Sequence, residues 1–314
     1  MKEVSLLILQ ARRMAENEDT PDGADVTVGI TDEEVLQFLN DAQDRLQTLI
    51  SGANSTSKPF VVEKEIATVE DQEEYDLEDR LFYNKEIELV EYSPTGDSGD
   101  YFPLQLVSQF NRNSNSGTPF GYYKRFGKIY LTPIPDTSNG TLRVLYERQL
   151  DDLDKRRGKI TTVNGLTSTT FTSIVIDTDA DESSTPNLAT IDYICVVDKY
   201  GTVTARNIPV GTYTASTNTL TPAGSHVFET GETIATNSYV TFHRYTTTHS
   251  GLPDECERYL IQYAWEQIAM RDGAEDLTKI KMVREEMEGD IIRQFASQTG
   301  EVQLIPMLDW EDWL

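Results

Sequence analysis

The chain has 314 residues, with 53 acidic against 27 basic side chains and a formal net charge of −26. That surplus excludes a protein that grips nucleic acid through its phosphates, because such a grip needs clustered Lys and Arg. Hydrophobic residues at 38% and charged residues at 25% fit a folded chain with a core rather than a disordered one, and the length suggests about two domains.

Val4, Leu7, Ile8 and Ala11 share helical spacing and predict a short helix over 2–14. The start has an apolar patch but lacks a basic lead and a small-residue cleavage site, so a signal peptide is not expected. An acidic stretch with Pro and Gly, 16–29, reads as a loop. Thr31 and Glu34 then form a capping-box pattern, in which each side chain satisfies a backbone donor of the first helical turn. Behind it Val35, Leu39, Ala42, Leu46 and Leu49 recur at helical spacing as one stripe, able to face the core or a neighbouring subunit. Ser51 and Gly52 end this helix.

Over 60–150 the pattern turns to strands. Residues 60–68 have strand character, and 87–92 alternate apolar with acidic, as a half-buried strand does. Segments 122–126 and 128–131 flank Gly127 as a tight hairpin, and 141–148 is a further strand. Pro133 and Pro135 interrupt the ladder, since proline cannot donate to it.

The charged run 151–158 reads as a boundary. Beyond it, to about residue 239, Thr, Val, Ile, Asn and Gly dominate. Asn164-Gly165 signals a two-residue hairpin turn. Strands are expected at 174–176, 191–197 and 202–205, as in a small all-β sandwich or barrel. Residues 239–245 echo 142–148 in character, which suggests that the chain leaves a main domain near 150 and returns near 239. The expected division is an adaptor-like core of helices and β hairpins, 1–150 with 239–314, and an inserted β-sandwich-like domain, 159–238.

Leu252-Pro253-Asp254-Glu255 opens a helix whose face carries Cys256, Leu260, Ala264 and Ile268. After Gly273, Leu277, Ile280, Val283, Met287 and Ile291 mark another stripe. The end of the chain differs from the rest. Leu304, Ile305, Met307, Leu308, Trp310, Trp313 and Leu314 crowd an otherwise acidic sequence. Such apolar side chains need cover, either from their own domain or from a partner's socket.

Residues that could carry chemistry are few. Cys195 and Cys256 make no disulfide framework and read as buried apolar side chains. His226, His243 and His249 lack metal-ligand spacing. The run Asp177-Thr178-Asp179-Ala180-Asp181 resembles the opening of a calcium loop without its glycine and distant glutamate. No phosphate loop or nucleophile elbow is present, and no apolar run approaches a membrane span. No catalytic, cofactor or metal residue is assigned, and no enzyme activity is expected.

The stretch Asp32-Glu33-Glu34-Val35-Leu36-Gln37-Phe38-Leu39-Asn40-Asp41-Ala42-Gln43-Asp44 resembles the early helix of tailed-phage head-to-tail adaptor (connector) proteins. Gly127-Lys128-Ile129-Tyr130-Leu131-Thr132-Pro133-Ile134-Pro135-Asp136 is similar to their strand exit, and the helix after Leu252-Pro253-Asp254-Glu255, with Tyr263 and Ala264, to their late helix. The likeness covers both ends of the chain but not the β module of 159–238. It implies an α+β fold, with a helical bundle core, an attached β-strand segment and here the inserted all-β domain. It further implies a structural virion protein in the phage neck, assembled in the bacterial host cytoplasm as a dodecameric ring beneath the portal. The implied partners are the portal protein, a tail or nozzle protein and further copies of itself. DNA would pass through without specific binding, between walls that repel phosphate. The apolar tail residues named above would dock into the portal. Two other readings stand beside this one: a module binding carbohydrate or a host surface through Tyr193, Tyr200 and Tyr213, and a hydrolase using an unrecognised carboxylate pair.

Overall fold

The structure, a computed structural model, describes residues 2–15, 30–53, 59–77, 80–81, 87–97, 99–112, 115–125, 128–177, 191–224, 226–228, 231–272 and 277–297. The chain divides into two compact units, Met1–Ala53 with Asp151–Leu314, and Asn54–Leu150.

The first unit opens with α1 (Val4–Ala15), which buries Val4, Leu7, Ile8 and Ala11. Helix α2 (Asp32–Ala53) begins at the expected cap. The Glu34 N–H donates to Thr31 Oγ1 at 3.2 Å and the Thr31 N–H to Glu34 Oε2 at 2.8 Å, so two donors of the first turn are satisfied reciprocally.

The second unit is built from β1 (Val61–Ala67), β2 (Glu74–Asp76), β3 (Ile87–Ser93), β4 (Phe102–Pro103), β5 (Gln105–Leu106), β6 (Gly121–Arg125), β7 (Lys128–Thr132) and β8 (Thr141–Glu147). These form two four-stranded sheets, in the orders β1-β8-β3-β4 and β2-β7-β6-β5. Tyr92, Leu142, Val144 and Tyr146 from the first sheet and Ile129 and Leu131 from the second share one hydrophobic cluster. Strands β6 and β7 pair with Arg125 opposite Lys128, as the expected hairpin requires. On β3 and β8, Glu91 sits opposite Arg143, forms an ion pair with it, and the Arg143 guanidinium stacks on Tyr101 at 3.9 Å.

The chain returns to the first unit through β9 (Asp152–Leu153), β10 (Gly158–Asn164), β11 (Ser173–Asp177), β12 (Tyr193–Val197), β13 (Val203–Thr214), β14 (Thr219–Pro222), β15 (Tyr239–Phe242) and β16 (Thr246–Thr247). Six of these close a barrel in the order β10-β11-β14-β13-β12-β15. Closure leaves no edge strand to template pairing with another chain. Ile160, Ile174, Ile176, Ile194, Val196, Ile208, Leu220 and Val240 fill the interior, each buried aliphatic side chain contributing about 1.5–3 kcal/mol against the entropy of ordering. Helices α3 (Glu257–Asp272) and α4 (Leu277–Ser297) complete the unit.

Three expectations are corrected. The helical bundle core is overturned: the chain is mostly β, with four α-helices among the described residues, and the clusters that fill the barrel and the second unit are made by strand and loop side chains. Helical stripes stand out at a glance in a sequence, whereas many short strands each give a weak signal. The Asn164-Gly165 hairpin turn is also not formed. Asn164 pairs with Ser173, so the connection runs over 165–172, and Phe171 leaves it to stack on Phe228 in the barrel core. In α4, Val283 is 40% exposed rather than part of the buried stripe, and Arg284 turns inward in its place, 4% exposed.

Candidate assembly site

The run 151–158, read from sequence as a boundary, is a hub that ties the helices of the first unit to its barrel. Strand β9 pairs in parallel with β16, and Asn40 of α2 brackets Leu153: its side-chain N–H donates to the Leu153 carbonyl at 3.1 Å and its oxygen accepts the Leu153 N–H at 2.6 Å. Gln43, a buried polar residue on α2, donates to the Asp151 carbonyl at 2.9 Å and accepts the Ser250 hydroxyl at 2.8 Å. Asp151 takes the guanidinium of Arg206 on β13 at 3.0 Å.

Asp154 stands at the centre. Its Oδ1 accepts Arg157 Nε at 2.9 Å and Nη2 at 2.6 Å, and its Oδ2 accepts the Phe242 N–H at 2.7 Å. Arg157 and Lys155 both reach Glu33 in the first turn of α2 at 3.0 Å, where acids also complement the helix dipole. Burial pushes the Glu33 carboxyl up, but the hydrogen bonds from Lys155 and Arg157 outweigh it and hold it below the usual range. Arg156 forms an ion pair with Glu3 at 3.0 Å and lies over Tyr239 at 3.9 Å.

A second network joins α2, α3 and α4. Glu288 accepts from Arg45 Nε at 2.8 Å, from the Tyr259 hydroxyl at 2.7 Å and from Arg284. Arg284 also pairs with Glu266, itself buried. Burial pushes Glu288 up, and these donors more than offset it, leaving its carboxyl lowered. Burial, reinforced by Glu288, raises the Tyr259 phenol, and burial lifts the Cys256 thiol to about 12. Charges buried in this way are tolerated only because their partners are in place.

Val35, Leu39, Ala42 and Leu46 of the predicted stripe are buried within the chain's own fold, whereas Leu49 is half-buried. Leu304, Ile305, Met307, Leu308, Trp310, Trp313 and Leu314 lie outside the described residues, as do 178–181 of the acidic run. The three tyrosines proposed to bind carbohydrate do not converge. Tyr193 starts β12 under the Arg244 guanidinium, 3.8 Å away. Tyr200 sits in the turn at the opposite end of β12, while Tyr213 is near the far end of β13, its hydroxyl bonded to Asn218 at 2.9 Å. With about 3.3 Å per strand residue, Tyr200 and Tyr213 are separated by the length of β13. The histidines are equally dispersed: His226 packs edge-on against Phe171 and Phe228, His243 follows β15, and His249 bonds Thr248 at 2.9 Å. Among the described residues no three His, Cys, Asp or Glu side chains gather as a metal site.

Neither network was foreseen. The density of charge in 151–158 and the one-turn spacing of Arg284 and Glu288 were the available signals, but nothing local shows that these charges turn inward.

In the first unit a barrel and a group of helices are each fastened by ion pairs with little exposure, Asp154–Arg157 and Glu266–Arg284. The chain belongs to the SU10 adaptor protein family, a phage head-to-tail adaptor family, whose model matches residues 4–163. The match takes in α1, α2, the whole second unit and most of β10; it does not extend to the late helices that also carried the resemblance. No curated protein gives a significant match. Family membership gives the chain a structural adaptor role in the virion and contacts with other virion proteins. Among the described residues no helix is long and apolar enough to cross a membrane.

Proposed function

We propose that the protein is a non-enzymatic head-to-tail adaptor that assembles as a homo-oligomeric ring, joins the portal to the tail and continues the DNA channel. The family match carries this reading. The net charge of −26 supports it, since acids facing a channel repel the DNA phosphates that pass. The apolar end of the chain supplies the anchor: Leu304, Ile305, Met307, Leu308, Trp310, Trp313 and Leu314 dock into the portal, where buried tryptophans act as hot spots. The division into an adaptor core and an inserted domain over 159–238 belongs to the same reading.

Electron microscopy of the purified protein mixed with portal tests the ring directly. Removing residues 304–314 should abolish portal binding while the truncated chain keeps the circular dichroism and melting behaviour of the full one. Undiminished portal binding by that chain would place the anchor elsewhere.

A further inference from the structure

We propose that the open edge of β1 takes up an extended segment of a different virion protein, one with basic side chains at alternate positions, as a further strand of its sheet. This site lies wholly within the second unit and does not depend on the ring reading.

The edge differs from the others of the described chain. The barrel closes on itself, and the remaining edges of the two four-stranded sheets, β2, β4 and β5, have three, two and two residues. Strand β1 has seven residues, about 23 Å of extended chain. It holds no proline, and its register with β8 runs from Val61 to Ala67 without a bulge. Native edges of such length are ordinarily shortened, bulged or covered.

Hydrogen bonding along β1 alternates. At its two ends the Arg148 N–H donates to the Phe60 carbonyl at 3.0 Å and the Thr68 N–H to the Gly140 carbonyl at 2.8 Å. Antiparallel bonds join directly opposite residues at every second position. The ladder to β8 therefore uses Val62, Lys64 and Ile66, while the N–H and C=O groups of Val61, Glu63, Glu65 and Ala67 point away from the sheet. None of these outward backbone groups has a hydrogen bond among the described residues. They are the groups that an added strand bonds.

Side chains select the occupant. Val62 and Ile66 pack against the core of this unit, and Glu63 and Glu65 stand exposed on the other face. The cation nearest in register to Glu65, Arg143, is paired with Glu91 and stacked on Tyr101, whose hydroxyl donates to Glu65 at 2.9 Å. Glu63 and Glu65 make no ion pair among the described residues. A strand laid along β1 puts its own side chains directly opposite these carboxylates. Lysine or arginine fits there, with apolar residues between them to meet Val62 and Ile66.

The chain's own edges do not supply that pattern. Strand β2 brings Glu74 and Asp76, and a second β1 set antiparallel about Lys64 puts Glu63 opposite Glu65. Like charges directly opposite each other destabilise a strand pair. The occupant is therefore a different protein, matched to the acidic surplus of this one.

Amide hydrogen exchange on the full-length chain tests the edge with two short synthetic peptides, one alternating lysine with valine and the other glutamate with valine. Without peptide, the amides of Val61, Glu63, Glu65 and Ala67 should exchange rapidly, while those of Val62, Lys64 and Ile66 are protected by β8. The lysine peptide should protect the first set, and the glutamate peptide should bind about tenfold or more weakly. Glu65→Pro removes one outward N–H and leaves the ladder to β8 in place, so it should abolish that protection. Glu63→Lys combined with Glu65→Lys should reverse the preference between the peptides, a readout that stands even where the proline disturbs β1. Outward amides already protected in the peptide-free chain would overturn the assignment, as would no protection by the lysine peptide or equal protection by both. Protection that grows with protein concentration alone would give the edge to a second copy and overturn it too. Electron microscopy of the wild type reads ring formation separately, so the two readings fail independently.

Discussion

Asp154 Oδ2 accepts the backbone N–H of Phe242 at 2.7 Å, across 88 positions of sequence, while Oδ1 of the same carboxylate holds Arg157 Nε at 2.9 Å. One side chain thus joins the segment entering the barrel to the barrel's last strand.

Asp154→Ala should be among the most damaging single changes in the first unit. It leaves the Phe242 N–H without its acceptor and the half-buried Arg157 with Glu33 alone, so the loss should approach the lower end of the about 3–5 kcal/mol that breaking a fully buried pair costs. Urea unfolding of the variant measures it. A loss under about 1 kcal/mol, the range of an ordinary surface change, would show that the hub is solvated.

Stability should fall on the acid side through Glu288. Its folded carboxyl lies below the ordinary value of 4.5 because Tyr259, Arg45 and Arg284 overcome the effect of burial. A lowered folded pKa contributes stability that is present above the unfolded value and is lost as pH falls through the folded one. Glu288→Gln should therefore be less stable than the wild type at neutral pH and lose less on going down to about pH 3. Denaturant midpoints across that series decide it; parallel pH dependence in the two proteins would refute the assignment.

Gly201 and Gly224 offer a controlled comparison. Both have positive φ, +92° and +75°. A Cβ on Gly201 would lie 2.2 Å from His249 Nδ1, whereas one on Gly224 meets nothing within 4 Å. Alanine at either position carries the left-handed backbone strain of about 1–2 kcal/mol. Alanine at Gly201 adds overpacking of about 1–3 kcal/mol against the His249 ring. Equal melting temperatures for the two variants would mean that His249 swings clear.

Leu46 and Leu49 separate core from surface on α2. Leu46 is fully buried and Leu49 only half-buried. Leu46→Ala should cost about 2–5 kcal/mol, as cavity-forming core changes do, and Leu49→Ala distinctly less. If Leu49→Ala instead weakens self-association without lowering the melting temperature of the dilute chain, that residue serves a neighbouring subunit.

Local rules were legible in the residues themselves. The reciprocal bonds of Thr31 and Glu34, the buried side of α1 and the pairing of β6 with β7 all follow from neighbours a few positions apart. The charge surplus and the apolar end of the chain are likewise properties of composition. Periodicity reports that a face is buried and leaves open what covers it. Only the tertiary structure decided that strands outweigh helices, that β10 closes against β15, and that Arg284 turns inward to Glu266 and Glu288 while Val283 turns out. It also decided that Phe171 joins the barrel core, so that the Asn164-Gly165 signal does not become a tight turn. Each of these depends on groups distant in sequence, where burial of a side chain and the satisfaction of a charge are settled together by whatever the fold brings alongside.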